Sequence, residues 1–417
     1  MRILWISNRR LDVDKEGTFG GGWLTSLMHN LSKYDDVELS VCYTDKNLSQ
    51  IREVTVDGVK HYGIPRKKNV LRYDQDVSRI LCSIIDRFQP DIIHAQGTEN
   101  ANAIVAMRER PNYTYVVSIQ GLLSRYAEHY VGGVPFPFSL DLTPRDLFHQ
   151  DGPISKGKKF AKSSWYEIEM IEKANYVMAR TSWDVACVKH IHRDVPIYSD
   201  LRVLRASFYQ NKWSLNQCKP HSIFVGNSLN QIKGLHYVLQ ALPLIRKVYP
   251  DVHLYISSKD FTKIKSFKDF TMYQTYFWYI KRLIKKLKIE DCITFMGVLN
   301  EKDMCDAFLN AHVFVLPSVI ENSPNTLSEA AVLGVPTVAS YIAGVPDLVE
   351  DGVNGFLYSY DEYYIMADRI IRIFENDDLA LSLSSNIREK ARRMYDADKN
   401  TDLVYQAYKD IIKKQHE

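Results

Sequence analysis

The chain has 417 residues, 46% hydrophobic and 25% charged, the proportions of a soluble globular protein that is too long for one ordinary core and suits two large domains. Its 53 basic and 50 acidic residues leave a net charge of +3, so no global field draws it to nucleic acid. Six scattered cysteines with no Cys-x-x-Cys pair argue against a structural zinc site and fit free thiols in a reducing cytoplasm. No apolar run approaches a membrane span, and the opening residues 2–7 are too short for a signal-peptide core. The expectation is a cytosolic protein, with peripheral attachment to a membrane left open.

Apolar runs of strand length alternate with helical patterns along nearly the whole chain. Residues 3–7, 38–43, 91–94, 114–119 and 176–179 read as strands in the first half, with amphipathic stretches at 23–31, 77–88 and 101–108 between them. The second half repeats the rhythm with strands at 222–226, 253–257, 293–297, 312–316 and 337–340 and helices at 234–248 and 302–309. Such alternation predicts two parallel α/β sheets, each covered on both faces, with ligands bound beyond the carboxyl ends of the strands in a shared cleft. The polar residues 210–220 mark the expected junction. The domains are placed at 1–210 and 211–398, with a helical 399–417 that could return to the first domain. Residues 130–153 read as a long loop rich in Gly, Pro and Phe. Residues 259–288 mix lysines with aromatic side chains; their basic end, 281–288, has the period of an amphipathic helix that either covers a sheet or rests on anionic lipid.

Four clusters fall at expected strand ends. Gly20, Gly21 and Gly22 follow the first strand, where backbone can approach a ligand without side-chain obstruction. They do not form a dinucleotide fingerprint, because glycine is absent from the position of Thr25. The second cluster runs from Gly226 through Asn227 and Ser228 to Lys233-Gly234, where lysine either meets a phosphate or is a solvated helix-start residue. Gly297 and Val298 could offer backbone groups to a flat base.

The fourth cluster, Glu321-Asn-Ser-Pro-Asn-Thr-Leu-Ser-Glu329, is the most informative. It places two carboxylates astride a loop-to-helix junction, with Ser323 suited to an N-cap and Pro324 to the first helical position. The free N–H groups of Asn325 and Thr326 onward would then form an anion site. Lys233, this helix mouth and Glu329 suit a diphosphate and a ribose, and Glu321 suits the hydroxyls of a sugar beyond them.

These stretches resemble the family 4 glycosyltransferases, which retain anomeric configuration and have the GT-B fold of two Rossmann-like domains. The resemblance rests on Glu321–Glu329 (the family's E-x7-E), Gly334-Val-Pro-Thr-Val-Ala-Ser340, Ala343-Gly-Val-Pro-Asp347 and Asp351-Gly-Val-Asn-Gly-Phe-Leu357, with Lys233-Gly234, Gly20–Gly22 and Asp91-Ile-Ile-His94 in family order. It implies that Lys233 contacts the diphosphate of a nucleotide-sugar donor, Glu329 the ribose and Glu321 the donor sugar, and that Gly20–Gly22 lie beside diphosphate and acceptor. Three features depart from the family. Asn227 and Ser228 stand where an arginine is usual, the loop to Lys233 is about one residue longer, and Gln120, before Gly121, replaces a frequent histidine on the acceptor side.

The resulting expectation is a retaining hexosyltransferase with Glu321, Lys233 and His94 as catalytic candidates. It needs no cofactor and no metal, so Asp12-Val-Asp14 is taken as a chance match to a metal-binding pattern. His94 has an equally strong reading as a satisfied histidine under the cleft floor. Arg180 and Arg202 follow strand-like stretches and either reach the cleft or, the preferred reading, form core-edge ion pairs. The family implies a donor linked to uridine diphosphate, its commonest choice, with guanosine diphosphate as the alternative, and a saccharide or lipid-linked acceptor in surface polysaccharide synthesis. Two alternatives stand beside this reading: an epimerase or hydrolase of the same fold, and a nucleotide-sugar-binding protein without catalysis.

Overall fold

The computed structural model describes residues 1–7, 9–11, 22–67, 74–99, 101–264 and 266–417, the side chain of residue 268 excepted. The chain forms two compact units. The first comprises Met1–Ser124, Ala161–Arg205 and Tyr395–Glu417; the second comprises Arg125–Phe160 and Ala206–Met394. The chain therefore changes unit at residue 205 instead of within 210–220. Residues 125–160, expected in the first domain, cluster with the second.

In the first unit the strands are β1 (Arg2–Ser7), β2 (Glu38–Asp45), β3 (Arg52–Val56), β4 (Val59–Pro65), β5 (Ile92–Gln96), β6 (Tyr115–Ser118), β7 (Tyr176–Ala179) and β8 (Ile197–Ser199). They lie in the order β3-β4-β2-β1-β5-β6-β7-β8. All neighbours are parallel except β3 and β4, a hairpin turned at Asp57 and Gly58, whose φ angles of 49° and 79° are both positive. Alternation along β1 sends Ile3 and Trp5 to one apolar cluster and Leu4 and Ile6 to the other, so the sheet is covered on both faces. One cover is the helix Ala397–His416, started by Asp396, whose carboxylate accepts from the N–H of Lys399 at 2.9 Å. Its Val404, Ala407, Tyr408 and Ile411 share a cluster with Ile3 and Trp5.

The second unit is built on β9 (Ser222–Val225), β10 (His253–Ile256), β11 (Ile293–Phe295), β12 (Val313–Leu316), β13 (Thr337–Ser340) and β14 (Phe356–Tyr358). Their order is β11-β10-β9-β12-β13-β14, all parallel. The chain leaves β9 in one direction and returns at β12 to run in the other. The carboxyl ends of β9 and β12 therefore flank the topological switch point, where strand order opens a crevice. The strands β3, β4, β8 and β14 were not expected from sequence. Nor is 130–153 a plain loop: it contains the helix Pro144–His149, capped by Thr143, and ends where the helix Pro153–Lys173 begins. Among the described residues no helix is long and apolar enough to cross a membrane.

Candidate functional site

At the switch point of the second sheet, two loops lock together. After β9 the chain passes Gly226, exposed Asn227 and fully buried Ser228 to the 3-10 turn Gln231–Lys233. Gly234 then adopts a left-handed backbone (φ 69°) and opens the helix Leu235–Val248. A Cβ on Gly234 would stand 1.7 Å from the carbonyl oxygen of Pro317, so only glycine lets this turn press against the end of β12. The Val319 N–H donates to the Ile232 carbonyl at 2.8 Å, a second stitch between the same loops. Gly226 likewise lies against Thr326, with an added Cβ 3.1 Å from its methyl carbon.

These contacts bring Lys233 and Glu321 together as a hydrogen-bonded ion pair on Glu321 Oε1. The Ser318 hydroxyl donates to the same oxygen at 3.1 Å, and the Ser340 hydroxyl fixes that loop by donating to the Ser318 carbonyl at 2.6 Å. The carboxylate side chain is 9% exposed and the lysine 30%. Both bonds fall on one carboxylate oxygen, so Oε2 retains acceptor capacity, while the ammonium retains two donors beyond its bond to Glu321. A buried acceptor beside a partly exposed cation can take a hydroxyl and an anion side by side.

The helix after Glu321 spans Asn325–Leu333, one residue later than expected. Pro324, extended at φ −72° and ψ 127°, is its N-cap and supplies no side-chain bond, so Ser323 is not the cap and Pro324 is not the first helical residue. Proline without an N–H suits that position, and the first helical N–H groups remain oriented for an acceptor beyond it. Glu329 is buried, in the second turn of this helix. Gly297 has a left-handed backbone (φ 84°) with no atom near its missing Cβ, and Val298 is half-exposed. They lie just past β11, two strands and so about 10 Å from β9.

The first unit treats its expected residues differently. His94 is a correction: it is 1% exposed and both ring nitrogens are engaged, Nε2 with Ser118 Oγ at 2.8 Å and Nδ1 with Tyr408 OH at 2.6 Å. Burial, followed by repulsion from Arg180, lowers its pKa to about 3. It is a structural histidine and presents no nitrogen to a ligand. Arg180 pairs with Asp200 at 3.1 Å, both almost fully buried, and lies over the Trp23 ring at 4.1 Å. Gly22 begins the helix Gly22–Leu31 against Arg205, where a Cβ would stand 2.9 Å from the arginine Cδ. Gly20, Gly21, Asp12 and Asp14 lie outside the described residues. Gln120 is half-buried beyond β6, and the carbonyl of Gly121 accepts from the Thr98 hydroxyl at 3.1 Å.

Glu99, just beyond β5, was passed over in the sequence. Its residue keeps some surface, yet protein surrounds the carboxyl closely enough to raise its pKa to about 7, with Glu167 adding to the rise and Arg180 and Arg9 opposing it. Its position beyond a strand that adjoins β1, the switch point of the first sheet, was the available signal.

Residues 207–394 match the family model of glycosyl transferases group 1. The amylovoran biosynthesis glycosyltransferase AmsK of Erwinia amylovora is 24% identical over 141 residues, 32% of this chain and 34% of its own. The matches to the first curated relatives span 35%, 45% and 50% of their lengths, half or less of each. Sucrose-phosphate synthase from Thermosynechococcus elongatus superposes with a TM-score of 0.74 at 16% identity, over 99% of both chains. Anabaena HepE in complex with UDP and glucose gives 0.68 at 17% identity, over 98% of this chain and 100% of that one. Residues 207–394 are thus similar to the glycosyl transferases group 1, and the chain, with its two Rossmann-like sheets, has the GT-B fold.

Proposed function

We infer that the protein is a retaining hexosyltransferase that moves a sugar from a nucleoside-diphosphate donor, UDP-linked by preference, to a hydroxyl of a saccharide or lipid-linked acceptor in surface polysaccharide synthesis. The observation that carries this reading is the Lys233–Glu321 pair at the β9/β12 switch point, beside the start of the Asn325–Leu333 helix. The UDP and glucose bound by HepE and the polysaccharide role named for AmsK support it.

In the proposed reaction the diphosphate lies at the helix start with Lys233 at its side. As the anomeric bond breaks, charge gathers on the leaving phosphate, and the ammonium and helix N–H groups stabilise it in place of water. Glu321 holds the lysine through Oε1 and accepts a sugar hydroxyl through Oε2. Glu329 takes the ribose hydroxyls, and Gly297 and Val298, just past β11, offer backbone groups to the base. The acceptor hydroxyl attacks from the side the diphosphate leaves, giving up its proton to the departing phosphate oxygen, so the anomeric configuration is retained.

The test is product formation from a panel of UDP- and GDP-sugars with saccharide acceptors. Lys233→Ala and Glu321→Ala are each expected to lower kcat by about 10²-fold or more while leaving the unfolding midpoint near that of the parent protein. Free sugar released from donor alone at the rate of transfer would instead favour hydrolysis, and donor binding without turnover a sensor.

A further inference from the structure

The second unit exposes large apolar side chains in two stretches that meet. Phe136, Leu147 and Phe148 come from the Arg125–Phe160 segment, and Phe267, Met272 and Trp278 from the chain between β10 and β11; Phe136, Phe148 and Phe267 are 78%, 84% and 81% exposed. Scattered single apolar residues on a surface need no explanation, but the two stretches that carry these touch each other. The Phe138 ring lies 5.7 Å from Trp278 and 5.2 Å from Tyr279, and the Arg282 guanidinium sits 6.0 Å above it. The Leu142 N–H donates to Thr275 Oγ1 at 3.0 Å, and the Thr275 N–H donates to Asp146 Oδ2 at 2.6 Å. Both stretches thus pack around the beginning of the helix Thr275–Leu287.

That helix continues the patch as a cationic strip. Tyr276, Ile280, Leu283 and Ile284 are buried, whereas Trp278, Lys281, Arg282 and Lys285 are exposed at spacings of i, i+3, i+4 and i+7, on one face. It contains four basic and no acidic residues. Among the described residues Lys281, Lys285 and Lys286 form no ion pair. The carboxylates of the two stretches are engaged elsewhere: Asp141 accepts from the Gly152 N–H and the Ser155 hydroxyl, Asp146 from Thr275 and Arg145, Asp151 from Arg145, Asp260 from Lys263 and Asp269 from the Ser266 hydroxyl. The positive charge is therefore left to an outside partner.

We propose that this face docks on an anionic lipid bilayer, with the Phe136, Phe148, Phe267 and Trp278 side chains entering the headgroup boundary and Lys281, Arg282 and Lys285 meeting the lipid phosphates. Exposed aromatic tips leading into a row of long basic side chains match a surface that is apolar below and negative above. An acidic protein would satisfy the lysines but not the outward phenylalanines. The patch lies where β10 ends, the same end of the parallel sheet as Gly226, Lys233 and Glu321. It is also tied to that loop, since Gln231 Nε2 donates to the Tyr130 carbonyl at 2.6 Å. Bilayer attachment stands independently of the reaction proposed above, since it requires neither Lys233 nor Glu321.

The experiment is co-sedimentation of the full chain with vesicles of phosphatidylcholine alone and of phosphatidylcholine mixed with phosphatidylglycerol. Binding is expected only to the mixed vesicles, weakening as salt rises. The exposed pair Lys281→Glu and Lys285→Glu should reduce it at least roughly tenfold. Phe148→Ser with Phe267→Ser should reduce it by a similar factor at any salt concentration. Equal binding to both vesicles, no binding to either, or undiminished binding by the folded charge-reversal variant would each overturn the proposal. No binding to either would leave the face to a protein partner.

Discussion

A directed chain of hydrogen bonds runs through the first unit at His94. Ser118 Oγ donates to Asp200 at 2.8 Å, so it accepts from His94 and places the imidazole proton on Nε2. Nδ1 then accepts from the Tyr408 hydroxyl, which itself accepts from the Trp5 indole N–H at 3.0 Å, and Gln96 approaches the same nitrogen at 3.1 Å. The order works only with a neutral ring. On acidification the unfolded chain takes up a proton near pH 6.5 while the folded histidine resists to about 3. Stability present above pH 6.5 is therefore lost as pH falls toward 3, by about 2 kcal/mol for one such histidine near pH 5. His236 and His312, held to about 3 and about 4 chiefly by burial, act in the same direction. Urea unfolding at the two pH values should show this slope. His94→Gln should be less stable than the parent near neutrality yet lose less on acidification; an unchanged slope would remove His94 from the account.

At the scale of elements, the site depends on how the β9 and β12 loops meet, and Gly234 makes that meeting close. Gly234→Ala adds a left-handed penalty of about 1–2 kcal/mol, and its Cβ would overlap the Pro317 carbonyl as well. The loops should separate, so the variant is expected to lose both transfer activity and several degrees of unfolding midpoint. Gly297→Ala, in open space, should pay only the backbone term. A calorimetric comparison of the two variants separates contact from conformation.

The same scale shows what could be read in advance. Val313–Leu316, Thr337–Ser340 and the helix between them follow simple periods, and the Glu321–Glu329 stretch signalled its own strand end. The β3–β4 hairpin carried an Asp57-Gly58 turn signal, but its strand Arg52–Val56 alternates weakly at a sheet edge and was missed. Three-residue strands such as Phe356–Tyr358 are too short for any period. The Lys233–Glu321 contact spans 88 positions and the His94–Tyr408 contact 314. Local pattern holds no record of such pairings, so Lys233 and Glu321 were placed at one site without their direct contact being legible, and His94 was left between a catalytic and a satisfied buried role.

At the scale of the whole molecule, neither unit is a continuous stretch of sequence. The family-matched span 207–394 omits the Arg125–Phe160 segment that the second unit includes, with the Tyr130 carbonyl against Gln231. The first unit needs Ala397–His416, which brings Val404, Tyr408 and Ile411 to the face of β1. Deleting residues 397–417 uncovers those contacts and leaves the Trp5 N–H and His94 Nδ1 without the Tyr408 hydroxyl. Three buried side chains and two buried hydrogen bonds are together comparable to the typical stability of a domain, about 5–15 kcal/mol. The truncated chain is expected to lose cooperative unfolding in the first unit, read as the disappearance of slow-exchanging amides in β1, β5 and β6, whereas those of β9, β12 and β13 should persist.

The helix Ala397–His416 also sets an order of events during biosynthesis. Ribosomes deliver it only after every strand of the second sheet, so until then the face of Ile3 and Trp5 is covered in part, by side chains such as Trp23, Leu27 and Leu31. Premature termination before residue 397 should therefore yield a product that aggregates more readily than one carrying this helix, read as the fraction sedimenting after expression.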